Sequence, residues 1–405
     1  MRGNSRTALC HDWTTVYGGS EQVASRLAAI LNAGDVFTFA AEPQLARHLF
    51  PRSRVHAHQV GLSTLARRHW PWFLPLMPRA WSRLDLSAYD VVVTSAHACV
   101  NAVRVRPDAI HVSYCHTPMR YAWDWQMELG RIPSPLRPFW PAAAAALRKV
   151  DRDRARRVTA FIANSHHVAA RIRVCYGREA TVVHPPVDTE FWSPDPRLRR
   201  ERFFLFAGRL VSYKRADVAV SAARQAGAKL VIAGSGPELR RLRRMAGDHV
   251  TFIERPSREA LRDLYRRSRA LLNPGVEDFG MTMAEAQACG TSVIAQAAGG
   301  AQEIVVGNRT GVLYEEASPQ ALSTILREFE PQAFDPDDAR SNAERFAPAR
   351  FDEGVLRVVE SALRGNRGNG RQASDESSML LHTVAPTHSQ GRVRETHRSG
   401  RRGLT

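Results

Sequence analysis

Glu277-Asp-Phe-Gly-Met-Thr-Met-Ala-Glu285, entered from the short apolar run Ala270-Leu-Leu-Asn273, sets two carboxylates around a glycine turn. The apolar run reads as a strand and the segment behind Gly280 as a helix, so the stretch is a strand, a turn and a helix N-terminus. In an α/β sheet that junction lies at the carboxyl end of a strand, where ligands bind. Amides near Gly280 and Met281 have no partner inside the helix and are free to face a phosphate or sugar oxygen. Glu277 before the turn and Glu285 in the first helical turn can accept from hydroxyls. A loop acid and a carboxylate complementing the helix dipole would look the same in isolation. The neighbouring segments decide between these readings.

Working outward, the second half alternates apolar runs with helical stretches: Phe203 to Phe206, Lys229 to Ala233, Val250 to Ile253, Ala270 to Asn273 and Ser292 to Ala295 read as strands. The first half has the same rhythm, with strands expected at Thr7 to Cys10, Val36 to Phe39, Val91 to Thr94, Ile110 to Tyr114 and Ala160 to Ala163, and a helix from about Ser20 to Leu31. Repeated βαβ units imply parallel sheets, and the turn-rich His184-Pro-Pro-Val-Asp188 separates them. The expected architecture is therefore α/β, with two Rossmann-like domains, residues 1–186 and 187–345, facing a central cleft. A helical segment at 346–364 closes the folded part, and residues 365–405, rich in Gly, Ser and Arg, are expected to form a disordered basic tail.

A chain of 405 residues, 44% hydrophobic and 24% charged, has room for two cores. No apolar run is long enough to span a bilayer and no secretory core opens the sequence, so a cytoplasmic location is expected. The five cysteines are scattered without a Cys-x-x-Cys pair, which favours buried thiols over disulfides or zinc. The formal charge of +17 calls for an anionic partner: nucleic acid, an acidic membrane surface or a phosphorylated substrate. Seven arginines against three acids in the tail carry only part of it.

Three loops at expected strand ends carry cleft chemistry. His11-Asp-Trp-Thr-Thr-Val-Tyr-Gly18-Gly19 leaves the first strand through paired glycines, which admit a ligand close to the backbone or simply make a tight turn. Tyr114-Cys-His116-Thr-Pro places a histidine at a strand's carboxyl end, where it either serves the cleft or is a satisfied structural residue, whereas His97 and His111 read as structural. Phe206-Ala-Gly208-Arg209-Leu-Val-Ser-Tyr-Lys214 offers a planar fork and a point charge to a diphosphate, the plainer alternative being a basic surface loop. Asp151-Arg-Asp153 could suggest a metal site but lies in a charged helical run, where ion pairs explain it better, so no metal is expected. Arg67 to Trp81 interleaves arginines with aromatics and is a candidate for contact with anionic lipid or for a packed loop; no nucleic-acid fold accompanies it.

Together these residues resemble the retaining GT-B glycosyltransferases of family 4. Glu277 to Glu285 matches that family's Glu-x7-Glu signature, Gly208-Arg209 with Lys214 its diphosphate clamp, Gly18-Gly19 its N-terminal glycine loop and His116 its cleft histidine. His11-Asp12-Trp13, Cys115-His-Thr-Pro-Met-Arg-Tyr-Ala-Trp123 and Arg209 to Arg215 are similar to the subgroup of O-antigen mannosyltransferases of the WbaZ type. Met283 departs from the pattern, since the family usually carries proline there. The resemblance implies GDP-mannose as co-substrate, with no cofactor and no metal, and a glycan or lipid-linked acceptor at the inner face of the membrane. It also implies that Glu277 and the amides of Phe279, Gly280 and Met281 hold the donor sugar and Glu285 the ribose. Arg209 and Lys214 would hold the diphosphate, and His116 would face the reacting sugar. The first domain is then the acceptor side and the second the donor side, and the helix at 346–364 crosses back to the first domain. A sugar-nucleotide 2-epimerase of similar architecture is the alternative enzyme, and a nucleic-acid-binding protein the alternative outside enzymes.

Overall fold

The computed structural model describes residues 5–58, 73–74, 76–128, 132 and 134–381. Strands β1 (Thr7–His11), β2 (Asp35–Thr38), β3 (Arg54–Ala57), β4 (Val91–Ala96), β5 (Ile110–Cys115), β6 (Ala160–Ala163) and β7 (Ala180–Val182) form a parallel sheet in the order β3-β2-β1-β4-β5-β6-β7. Strands β8 (Phe203–Ala207), β9 (Lys229–Ala233), β10 (Val250–Ile253), β11 (Leu271–Asn273), β12 (Val293–Gln296) and β13 (Gly311–Tyr314) form a second, in the order β10-β9-β8-β11-β12-β13. Both orders reverse direction beside their first strand, so each sheet has a switch point, at β1/β4 and at β8/β11, where helices leave to opposite faces and open a crevice.

The strands are apolar throughout because each central one is buried on both faces. Phe204 and Phe206 pack on one side of the second sheet with Leu230, Ile232 and Leu272, while Phe203, Leu205 and Ala207 pack on the other with Trp192 and Met283. In the first sheet Leu9 faces a core shared with Val23 and Leu27, and Ala8 and Cys10 face one shared with Trp81 and Met119. All five cysteines are buried and free.

Three strands go beyond those read from the sequence: β3, β7 and β13, all edge strands. An edge strand has a neighbour on one side only, tolerates polar residues and can be short, so its apolar signal is weak. Arg54-Val-His-Ala57 is exposed at every second residue.

The last helix, Pro348–Leu381, sends Phe351, Val355 and Val359 into the core of the first sheet. Arg26 donates two hydrogen bonds to Asp352 beside them. Residues 382–405, most of the expected tail, lie outside the described residues, as do 67–72 and 75 of the Arg67 to Trp81 stretch. In the described part of that stretch, Met77–Ser82 is a helix whose Met77 and Trp81 are buried, which fits a packed segment. Among the described residues no helix is long and apolar enough to cross a membrane.

Candidate active site

Gly280 makes the decisive turn. Its φ of 107° is one that other residues rarely adopt, and it caps the helix Met281–Ala288 directly behind β11. Helix amides at this end point out of the turn. Met283, standing where proline is usual, is buried under the turn and leaves the helix start intact. Glu285 is 5% exposed and accepts a hydrogen bond of 3.1 Å from Tyr265 Oη. Burial pushes its carboxyl up to about 7.

Glu277 points back into its own half. Its Oε1 lies 2.7 Å from Lys214 Nζ, a contact of charges rather than a well-directed hydrogen bond. Burial works against the Lys214 ammonium, yet Glu277 holds its pKa above the ordinary lysine value. Gly208, at the end of β8, makes room for that ammonium, since a Cβ there would sit 3.2 Å from Nζ. Arg209 next to it is exposed to solvent. Across the cleft, a Cβ on Gly19 would lie 3.1 Å from Met281 Cγ, so the glycine loop after β1 faces the start of the Met281 helix. The structure thus brings Gly19, Gly208, Lys214, Glu277, Phe279, Gly280, Met281 and Glu285 to the carboxyl ends of β1, β8 and β11.

His116 lies just past the end of β5, and its Nε2 meets Ser95 Oγ at 2.8 Å. Ser95 also meets His11 Nδ1, at 3.0 Å from its hydroxyl and 3.3 Å from its carbonyl. The Ser95 hydroxyl thus stands between the His11 and His116 rings, within hydrogen-bond distance of both. His97, read from the sequence as structural, belongs to this group: its ring centroid is 5.5 Å from that of His11 and 6.0 Å from that of His116. Burial pushes His97 down to about 3, and burial with the other two histidines pushes His116 well below the ordinary imidazole range. Both rings are neutral at physiological pH. Burial alone would raise the Glu21 carboxyl, 3.9 Å from His11 Nε2, but His11 holds it below its ordinary value. Asp12 fixes the other wall: its carboxylate accepts from the amides of His97, Ala98, Cys99 and Val100 at 2.8–2.9 Å. His111 is structural as expected, bonded to Thr94.

The Asp151 to Asp153 pair lies on the helix Trp140–Ala155, as expected, and only partly in ion pairs. Asp153 is 3.7 Å from Arg156, but Asp151 is buried and accepts from Trp123 Nε1 and Tyr176 Oη, each at 2.8 Å. Among the described residues no group of His, Cys, Asp and Glu is arranged to hold a metal ion.

Two family models cover this architecture half by half. Residues 17–191 match the one described as Glycosyltransferase Family 4, and residues 188–346 the one described as Glycosyl transferases group 1. The chain belongs to the GT-B glycosyltransferases of family 4.

Within the family, the chain is 33% identical over 216 residues to the GDP-mannose-dependent alpha-(1-6)-phosphatidylinositol monomannoside mannosyltransferase of Mycolicibacterium smegmatis, covering 46% of this chain and 56% of that protein. It is 32% identical over 249 residues to D-inositol 3-phosphate glycosyltransferase 1 of Catenulispora acidiphila, covering 51% of this chain and 58% of the relative. The alignments thus span a little over half the length of these relatives. Among solved structures, HepE of Anabaena, determined with UDP and glucose, superimposes with a TM-score of 0.66 at 17% identity, covering 88% of this chain and all of its own. Sucrose-phosphate synthase of Thermosynechococcus elongatus gives 0.63 at 21%, covering 92% and 100%. At these identities the likeness is one of fold, and it is the GT-B fold of two Rossmann-like domains.

Proposed function

We propose that the protein is a retaining hexosyltransferase that moves mannose from GDP-mannose onto a glycan or lipid-linked acceptor in cell-surface polysaccharide or glycolipid synthesis. The observation that carries the transferase reading is the Lys214–Glu277 pair set under Gly208 and beside the Gly280 turn. Glu277 and the amides of Phe279 to Met281 hold the donor sugar, Glu285 the ribose, and Lys214 with Arg209 the diphosphate. As the glycosyl bond breaks, charge builds on the departing phosphate, and Lys214 and Arg209 bind it more strongly than they bind the ground state. These fixed cations do at the diphosphate what a metal does elsewhere, so the reaction needs none. Neutral His116, held by Ser95, faces the sugar from the first half. In same-face transfer the departing phosphate oxygen takes the acceptor's proton, and closure of the cleft keeps water from the donor.

Mannose and guanine are favoured because the relative from M. smegmatis is named for GDP-mannose. The net charge of +17 favours peripheral contact with an anionic membrane at its inner face, where a lipid-linked acceptor would be met. Co-sedimentation with anionic liposomes at low salt, lost at high salt, is the expected result for that contact.

The test is binding and turnover of a panel of sugar nucleotides, with and without EDTA and acceptor. Selective GDP-mannose binding, lost in Lys214→Ala and Glu285→Ala and untouched by EDTA, is expected. Conversion of the donor to its 2-epimer without any acceptor would replace transfer by epimerisation. Absence of binding to any sugar nucleotide would sink the cleft reading and favour a nucleic-acid ligand.

A further inference from the structure

The residue between Glu277 and Phe279 faces the other way. Glu277 reaches Lys214 in its own half, while Asp278 crosses to the first half. There Asp278 Oδ1 accepts from Arg171 Nη1 at 2.9 Å and from Thr117 Oγ1 at 3.4 Å, and Oδ2 accepts from Arg120 Nη2. The Asp278 carbonyl accepts from Ser165 Oγ at 2.6 Å. Arg171 turns its other arm to Asp124, so two guanidinium groups face two carboxylates and the set is charge-balanced. The side chains of Arg120, Arg171 and Asp278 are 14–18% exposed, which shields them from the screening that weakens surface pairs. Burial by itself would raise the Asp278 carboxyl, but Arg120 and Arg171 hold it below the ordinary aspartate value.

Arg120 has a second contact. Its Cζ lies 4.5 Å from the ring centroid of Tyr213, the residue before Lys214. The loop of Tyr213 is in turn pressed on the strand end before the turn, since a Cβ on Gly275 would come within 2.4 Å of the Tyr213 carbonyl oxygen. One guanidinium of the first half therefore touches both loops of the second that present Lys214 and Glu277.

We propose that Asp278, with Arg120 and Arg171, is a positioning residue that makes the working geometry of the Lys214–Glu277 pair conditional on closure of the two halves. None of the three needs to touch the donor. With the cleft open, Asp278 loses its partners, and the turn and the Tyr213 loop lose the brace that sets their spacing. Chemistry is thereby confined to the closed state, in which water is excluded. The inference rests on the transferase reading for its kinetic part and on geometry alone for its conformational part.

The experiment uses the full chain with spin labels at Gln44→Cys and Arg240→Cys, exposed positions in the first and second halves; the native cysteines are buried. The isosteric Asp278→Asn and the charge-keeping Arg171→Lys are compared with a chain carrying the labels alone. Expected are a broader or longer label distance in both variants without any ligand, a kcat lowered roughly tenfold or more, and donor affinity within about threefold of wild type. The ratio of donor hydrolysis to transfer should rise. Unchanged distances with unchanged kcat would overturn the proposal. So would donor affinity that falls in step with kcat, which would make Asp278 a donor ligand. If no sugar nucleotide binds the labelled parent, the transferase reading fails, and the distances still decide whether the clasp holds the halves.

Discussion

Among single residues, Glu285 was visible in the sequence by its place eight residues after Glu277, whereas its state was not. Its carboxyl rises from an ordinary 4.5 to about 7 because it is buried on the inner side of its helix, beside Tyr265. A carboxyl whose folded pKa exceeds its unfolded value stabilises the fold below about pH 4.5 and loses that contribution as pH rises through about 7. The gap corresponds to roughly 3 kcal/mol. Glu285→Gln cannot ionise, so wild type should lose thermal stability relative to this variant between about pH 5 and pH 8 and match it near pH 4.5. Parallel melting curves across that range would show that the carboxyl ionises normally in the fold. The same limit applies to other residues of the site. His11, Ser95 and His97 come together from two strand ends 84 positions apart in the chain, and Asp278 meets Arg120 from 158 positions away. Spacing along the chain carries no signal for such meetings. His116 stood out only by its place at a strand's end, which a structural histidine can share, and nothing in the sequence pointed to the Ser95 hydroxyl beside it.

Elements were legible where burial is two-sided. The central strands announce themselves as apolar runs, whereas β3 is half-polar, β7 has only three residues and β13 opens on a glycine. Loops were legible by their glycines, but not which glycine is indispensable. Gly300 is: a Cβ there would lie 2.0 Å from the Phe279 carbonyl oxygen, and its amide donates to the Glu277 carbonyl at 2.8 Å. It packs the loop after β12 directly on the turn that carries Glu277. Gly227, a left-handed helix end at φ +63°, has nothing within 4 Å of the same virtual atom. Gly227→Ala should therefore cost about 1 kcal/mol through backbone strain alone. Gly300→Ala should cost about 1–3 kcal/mol and displace the turn, lowering donor affinity as well. Denaturant unfolding and donor titration of the two variants check this. Equal stability losses with unchanged donor affinity in both would mean that the Gly300 contact yields without moving Glu277.

For the whole molecule, the two-sheet plan follows from the repeated βαβ rhythm, whereas the return of the last helix to the first domain is implied by the family resemblance and by no pattern in the residues. After the second sheet is complete, Pro348–Leu381 returns to the first and completes its core with Phe351, Val355, Val358 and Val359. Phe351 is 1% exposed and its ring centroid lies 5.6 Å from that of Tyr114, the residue two before His116. The first half is thus finished only when this helix, beyond the second sheet in the sequence, has been made. Phe351→Ala should remove about 3–5 kcal/mol from that core. The loops of Lys214 and Glu277 are carried by the other sheet, so the variant should keep wild-type affinity for the sugar nucleotide at temperatures where it remains folded. Its unfolding should separate into two transitions, the earlier one tracking the first half, as the two cores cease to melt together. Donor titration by calorimetry and a melt followed by amide hydrogen exchange read the two halves separately. A single transition at lower temperature, with donor affinity lost alongside, would show instead that the returning helix and the clasp at Asp278 bind both sheets into one cooperative unit.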